Sequence, residues 1–177
     1  ECKEPELKKA FLFACLTGLR KSDVMELTWK KIQPYGNGGM YITVRMQKTK
    51  QLVNNPVSEE ALELIGFYDK EENRQPTDKV FPGLKNSMFQ APLKNWIKAA
   101  GITKHISFHG SRHTFGSLQA DAGTSIYVIQ RILGHKNVET TQIYADMSDE
   151  TKRQSVDRIT LKPKVQPLSV VKPTGTE

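Results

Sequence analysis

The apolar residues of this chain change period twice, and that change restricts the fold more than any other feature. Over residues 5–17 they fall at Leu7, Ala10, Phe11, Ala14 and Cys15, the i, i+3, i+4 rhythm of a helix facing a core. Thr17-Gly18-Leu19-Arg20 interrupts the rhythm, because Gly18 suits a helix C-terminus. Ser22 is then expected to cap a short helix with Asp23 in its first turn and Val24, Leu27 and Trp29 on its apolar side. Between Gly36 and Val57 the period becomes two. Gly36-Asn37-Gly38-Gly39 reads as a turn, and Tyr41, Thr43 and Arg45 alternate with Ile42, Val44 and Met46. A second extended run, Leu52-Val53, ends near Pro56, giving a small antiparallel sheet with an exposed basic hairpin.

From Ser58 the helical period returns, with Ala61, Leu62, Leu64, Ile65 and Tyr68 as the buried face. Residues 69–79 read as a loop, Phe89 to Ala100 as an amphipathic helix stopped by Gly101, and the remainder to about residue 160 as short helices. The expected fold class is α+β, mainly helical, with one small antiparallel sheet in a single domain over residues 1–160. Residues 161–177 hold three prolines and no periodicity, the pattern of a flexible C-terminal tail.

The 177 residues suit one domain, and no apolar run approaches the ~20 residues of a spanning helix. The first residues carry no signal-peptide pattern. The chain does not begin with Met, so it is expected to be a piece whose upstream part is missing. Cys2 and Cys15 suggest neither a disulfide framework nor a zinc site, so a reducing, cytoplasmic setting is expected. Lys and Arg number 26 against 19 Asp and Glu, a formal charge of +7 that attracts polyanions such as nucleic acid.

Three segments carry chemistry: Thr17-Gly18-Leu19-Arg20-Lys21-Ser22-Asp23, His109-Gly110-Ser111-Arg112-His113-Thr114-Phe115, and the run from Leu133-Gly134-His135 to Tyr144. Phosphodiester transfer without a metal needs fixed cations for the charge that shifts onto the phosphate oxygens. Arginine forks suit that task. It needs a hydroxyl nucleophile, which a tyrosine supplies, and a proton for the departing oxygen, which a hairpin lysine can donate. Imidazoles can hold phosphate or move protons near neutral pH. Arg20, Lys48, His109, Arg112, His135 and Tyr144 make up that set.

The three segments resemble the boxes of the tyrosine recombinase (phage integrase) family: TGLR followed by an acidic residue, HxxRH, and LGHxxxxTxxxY. The resemblance runs from about residue 5 to residue 150. It implies that Arg20 and Arg112 clamp the scissile phosphate and that Tyr144 attacks it. The products are a 3′-phosphotyrosine bond and a 5′-hydroxyl. Lys48 would be the general acid, His109 and His135 would bond phosphate oxygens, and Asp23 would support the site. Lys50 lies two residues from Lys48, and spacing does not separate them; Lys48 is preferred because Lys-Thr matches the pattern common among relatives. Lys21, Lys50 and Lys136 are expected to contact DNA.

The resemblance also implies double-stranded recombination sites as substrate and a homo-oligomer, a tetramer, on DNA. Accessory DNA-bending or directionality proteins and a C-terminal tail docking on a neighbouring subunit are implied too. The phosphotyrosine bond conserves the energy of the broken diester, so no cofactor is expected; no P-loop is present.

Competing readings are a DNA-binding module of the same fold without catalysis, and a topoisomerase or resolvase using the same chemistry. His105, His109 and His113 are spaced by four, yet Ile106-Ser107-Phe108 reads as a loop and no carboxylate completes an HExxH pattern, so no metal is expected. His113 itself is expected to be a packed, hydrogen-bonded histidine.

Overall fold

The structure, a computed structural model, describes residues 2–36, 38–45, 52–69, 73–135 and 137–144. Helix α1 (Pro5–Thr17) starts with proline in its first turn, where the missing N–H costs nothing. It ends at Gly18, whose φ of 66° is left-handed and whose N–H donates to the Ala14 carbonyl at 2.9 Å. Leu7, Ala10, Phe11 and Ala14 are buried as the periodicity predicts, and so is Phe13. Phe13 lies off that stripe and packs edge-on against Phe81, because α1 is the central helix, touched from several sides.

Helix α2 (Lys21–Met25) departs from expectation at its start. Arg20, not Ser22, is the capping residue, and Ser22 lies within the first turn. The Asp23 carboxylate fills the capping role, accepting the Arg20 backbone N–H at 3.3 Å. A three-residue 3-10 turn at Trp29–Lys31 leads into a three-stranded antiparallel sheet. Its strands are β1 (Ile32–Pro34), β2 (Met40–Arg45) and β3 (Leu52–Val57), with β2 central. The register sets Ile32 against Ile42 and Met40 against Val57, and Ile32, Ile42 and Val57 are buried. On the other face Tyr41 donates its hydroxyl to Gln33. Both prolines of the sheet, Pro34 and Pro56, sit on edge strands, where a missing donor is tolerated.

Helix α3 (Glu59–Leu64) is capped by the Ser58 hydroxyl, which accepts the Ala61 N–H at 3.3 Å. Ala61, Leu62 and Ile65 are buried, but Tyr68 is 57% exposed. The helix ends before Tyr68, and Gly66 (φ 69°) turns the chain away, so the period no longer applies there. The segment from Phe89 divides into a 3-10 turn (Asn86–Phe89) and α4 (Ala91–Ala99), with Gly101 in the left-handed region. Phe11, Phe89, Trp96 and Phe108 form an edge-to-face aromatic group that joins α1, α4 and the loop after it.

Helices α5 (Gly110–Asp121), α6 (Ile126–Leu133) and α7 (Glu139–Gln142) complete the described fold. The apolar interior falls into two parts. A large cluster unites α1 to α4 with the sheet, and a smaller one holds Phe115, Ala120, Ile129, Leu133 and Tyr144. The basic hairpin at Lys48 and Lys50, Lys136, and the tail of residues 161–177 lie outside the described residues. Among the described residues no helix is long and apolar enough to cross a membrane.

Gly18 meets both parts. A Cβ there would stand 2.7 Å from Phe115 Cδ1 and 2.9 Å from Leu133 Cδ2, in a backbone conformation L residues avoid. Gly18→Ala is therefore expected to cost about 2–4 kcal/mol in urea unfolding, combining left-handed strain with overpacking. Gly38→Ala, with φ 85° and nothing within 4 Å, is the control carrying strain alone. Equal losses at the two positions would contradict the packing argument.

Candidate active site

The residues of interest meet where three helix ends converge. Gly18 closes α1 and leaves its carbonyl facing α5. Arg112, on α5, is buried; its Nη1 donates to the Gly18 carbonyl at 2.5 Å and its Nη2 to the Leu133 carbonyl. Arg20 Nη2 reaches the same Leu133 oxygen at 3.5 Å. From the sheet, buried Asn55 donates to the neighbouring Ile132 carbonyl at 3.0 Å. The C-terminal end of α6, where the helix dipole is negative and carbonyls lack intrahelical partners, thus gathers both arginines.

The Leu-Gly-His sequence explains why that end is available. Gly134 takes φ 60°, its N–H donates to Arg131 and the His135 N–H donates to Gln130, the paired bonds of a Schellman cap. This stops α6 at Leu133 and places His135 directly beyond it. His135 Nδ1 lies 3.0 Å from the hydroxyl of Thr141, a fully buried residue of α7. Its neighbour Thr140, the threonine of the sequence pattern, is exposed. The Tyr144 N–H donates to the Thr141 carbonyl at 3.0 Å, so one threonine orients the imidazole and anchors the turn carrying the tyrosine.

The Tyr144 ring is 7% exposed and lies across Gly116 of α5, where a Cβ would meet ring atoms at 2.5 Å. Its hydroxyl is 2.9 Å from His113 Nδ1. His113 is therefore hydrogen-bonded as expected, but it is exposed rather than packed, and its partner is the tyrosine. His113 also stands edge-to-face on His109, with ring centroids 5.0 Å apart. Sequence reasoning missed the His113–Tyr144 contact; the available signal was the spacing of His109, Arg112, His113 and Gly116 along one helix face.

A cleft of about 530 Å³ opens beside this junction, lined by Arg20, Lys21, His109 and Arg112 among others. Lys21 Nζ lies 5.3 Å from the centroid of the Phe89 ring on its wall. His135 and Tyr144 are not in that lining; they stand on the α6 and α7 side of Arg112. A larger cleft, about 970 Å³, runs between α2 and the sheet and carries Lys30, Lys31 and Arg45 with Asp23 and Glu26. Among the described residues no group of three His, Cys, Asp or Glu could hold a metal ion.

Burial first, and then the gathered positive charge, sets the titrations. Burial, reinforced by Arg112 and Arg20 and then His109 and His113, pushes the His135 imidazole down to about 4. His109 is lowered for the same reasons, burial first and then His113, Arg112 and Arg20. Arg112 falls to about 10 through burial and the Arg20 charge, and so remains protonated at neutral pH. Burial raises the Asp23 carboxyl against the Arg20 N–H bond and the charges of Arg20, Arg112 and Lys31. It also raises the Tyr144 phenol, with Arg112 pulling the other way.

The model of the phage integrase family matches residues 1–151, all the described elements included. The chain belongs to the phage integrase family. Tyrosine recombinase XerD of Pseudomonas aeruginosa is 30% identical over 147 residues, 77% of this chain and 47% of that protein. The integrase of Salmonella phage P22 is 28% identical over 161 residues, 84% of this chain and 41% of that protein. This integrase-family chain spans about half the length of such curated relatives. Among solved structures, the catalytic domain of bacteriophage HP1 integrase superposes with TM-score 0.64 at 26% identity, over 89% of this chain and 84% of that one. XerH site-specific recombinase bound to difH substrate shares the fold, with TM-score 0.61 at 17% identity over 87% of this chain and 46% of that one.

Two outcomes follow for the integrase-family site. Since His135 titrates near 4 in the fold and near 6.5 when unperturbed, the unfolded chain binds more protons between those values. Stability is expected to fall as pH drops from about 6.5 to about 4. Asp23 acts in the opposite sense, so His135→Gln isolates the imidazole; urea midpoints should then fall less steeply across that window. Gly116→Ala should destabilise the chain although alanine is the better helix former by about 1 kcal/mol. In a Tyr144→Ala background the same change should become stabilising, since the ring it strikes is gone. A double-mutant cycle with no coupling would contradict the packing of Tyr144 on Gly116.

Proposed function

We propose that this chain is the catalytic domain of a site-specific DNA recombinase that integrates or excises a mobile element. In this reading Arg20 and Arg112 hold the scissile phosphate in the cleft they share with His109 and Lys21. Tyr144 attacks phosphorus, displacing the 5′-oxygen and forming a 3′-phosphotyrosine. Lys48 protonates the leaving oxygen, with Lys50 as the neighbouring alternative. His109 and His135 bond phosphate oxygens, and Asp23 holds the turn that presents Arg20. The observation that carries this reading is the meeting of both arginines at the end of α6, one helix turn and a short link from Tyr144. Fixed cations of that kind stabilise developing phosphate charge without reorganising.

The domain is proposed to span residues 1–160, with residues 161–177 a tail that is disordered or docks on a neighbouring subunit. Its partners would be duplex recombination sites, other copies of the chain assembled as a tetramer, and accessory DNA-bending or directionality proteins. It would work in the bacterial cytoplasm on nucleoid DNA. Lys21, Lys50 and Lys136 would contact phosphates, with the larger basic cleft extending that surface.

The test uses duplexes selected by binding from a random pool at low salt, nicked so that cleavage loses a short fragment and traps the adduct. The chain should form a covalent DNA adduct on a denaturing gel, and Tyr144→Phe should form none. Arg20→Lys, which keeps charge and loses the fork, should slow adduct formation by about a hundredfold. Binding should weaken steeply with salt in all three. Normal binding without adduct would favour a non-catalytic module, and relaxed plasmid or hairpin ends would favour a topoisomerase or resolvase.

A further inference from the structure

We propose that His113 is a further catalytic residue, the base whose Nδ1 takes the proton from the Tyr144 hydroxyl as that oxygen attacks phosphorus. The inference rests on the reading of Tyr144 as nucleophile. A phenol with an ordinary pKa of about 10 is a weak nucleophile at neutral pH, and burial in this site raises that of Tyr144 further. The proton needs an acceptor within hydrogen-bond reach. Among the described residues, His113 is the side chain that hydrogen-bonds the hydroxyl, at 2.9 Å.

The arrangement follows from helix periodicity. His109, Arg112, His113 and Gly116 fall on one face of the first turns of α5 and the residue before it. Gly116, lacking a Cβ, lets the tyrosine ring lie on the helix. The hydroxyl then meets His113, one turn nearer the N-terminus and next to Arg112 in the helix. The His109 ring also stands edge-to-face on the His113 imidazole, with centroids 5.0 Å apart. Because His113 is exposed, a proton it gains can exchange with solvent.

The step balances. In the neutral tautomer with the proton on Nε2, Nδ1 presents a lone pair to the hydroxyl. The Oη–P bond forms, the Oη–H bond breaks and its proton becomes the second proton of the His113 imidazolium. The P–O5′ bond breaks, and O5′ takes a proton from the hairpin lysine. Religation runs in reverse: O5′ attacks, the Oη–P bond breaks and His113 returns its proton to Tyr144, with no net consumption.

The experiment measures single-turnover adduct formation on the nicked duplex for the wild type, His113→Ala and His113→Asn. Each is made with tyrosine or 3-fluorotyrosine at position 144. Asparagine keeps an acceptor oxygen near the place of Nδ1 but cannot take a proton. Both variants should lose about a hundredfold in rate, with DNA affinity within about twofold of the wild type. The more acidic fluorophenol should shrink that loss at least tenfold, which a merely structural defect would not do. Wild-type rates in His113→Asn, or a loss of equal size with fluorotyrosine, would overturn the role of His113 alone. Absence of adduct from the wild type would instead overturn the nucleophile reading on which it rests.

Discussion

The buried guanidinium of Arg112 is the contact on which the rest of the site depends. Removing a cation from water costs several kcal/mol unless its donors are satisfied. Here the carbonyls of Gly18 and Leu133 satisfy it, and both belong to helix ends whose last oxygens have no intrahelical partner. The same bonds tie the larger apolar cluster to the smaller one, so a group suited to phosphate also joins the two parts of the domain. Two left-handed glycines make this possible: Gly18 and Gly134 stop their helices where the carbonyls face the arginine. With two helix ends fixed on it, Arg112 does not have to be organised when an anion arrives.

A cost of that arrangement is mutual repulsion. Arg20 and Arg112 share one carbonyl, and His109 and His135 stand in their field; burial first, and then that field, holds both imidazoles below the usual histidine range. The site thus presents two charged guanidiniums and imidazoles that resist protonation. An anion entering the cleft offsets the repulsion and favours the protonated imidazoles, the opposite-charge effect that raises a histidine pKa. Binding of phosphate and gain of protons are therefore linked by the charge layout alone. The Tyr144 phenol feels two opposed influences, burial holding its proton on and Arg112 easing it off.

Much of the fold was legible because period and punctuation agreed: α1, the start of α3, the β2–β3 pair and the stops at Gly18 and Gly101 emerged where the residues implied. Strand β1 was not legible, since three residues, two of them polar or proline, carry no alternation. Phe13 was hidden because a single stripe describes a surface helix, whereas α1 is central. The cap of α2 was misplaced because Ser22 is the better capping residue by type, but Asp23 accepts the Arg20 N–H from inside the helix. At the site, the boxes identified which residues meet. They did not reveal that His113 meets Tyr144, because that contact spans 31 positions and depends on the absence of a side chain at Gly116.

The central claim is that Tyr144 itself carries the DNA, and the direct measurement is to find the atom that does. The covalent adduct would be digested with nuclease and trypsin and its nucleotide-bearing peptide sequenced by mass spectrometry. The account predicts the nucleotide on the peptide running from Asn137 to Lys152, attached at Tyr144, its sole tyrosine. A nucleotide on that peptide's serine or one of its threonines, or on any other peptide, would contradict it.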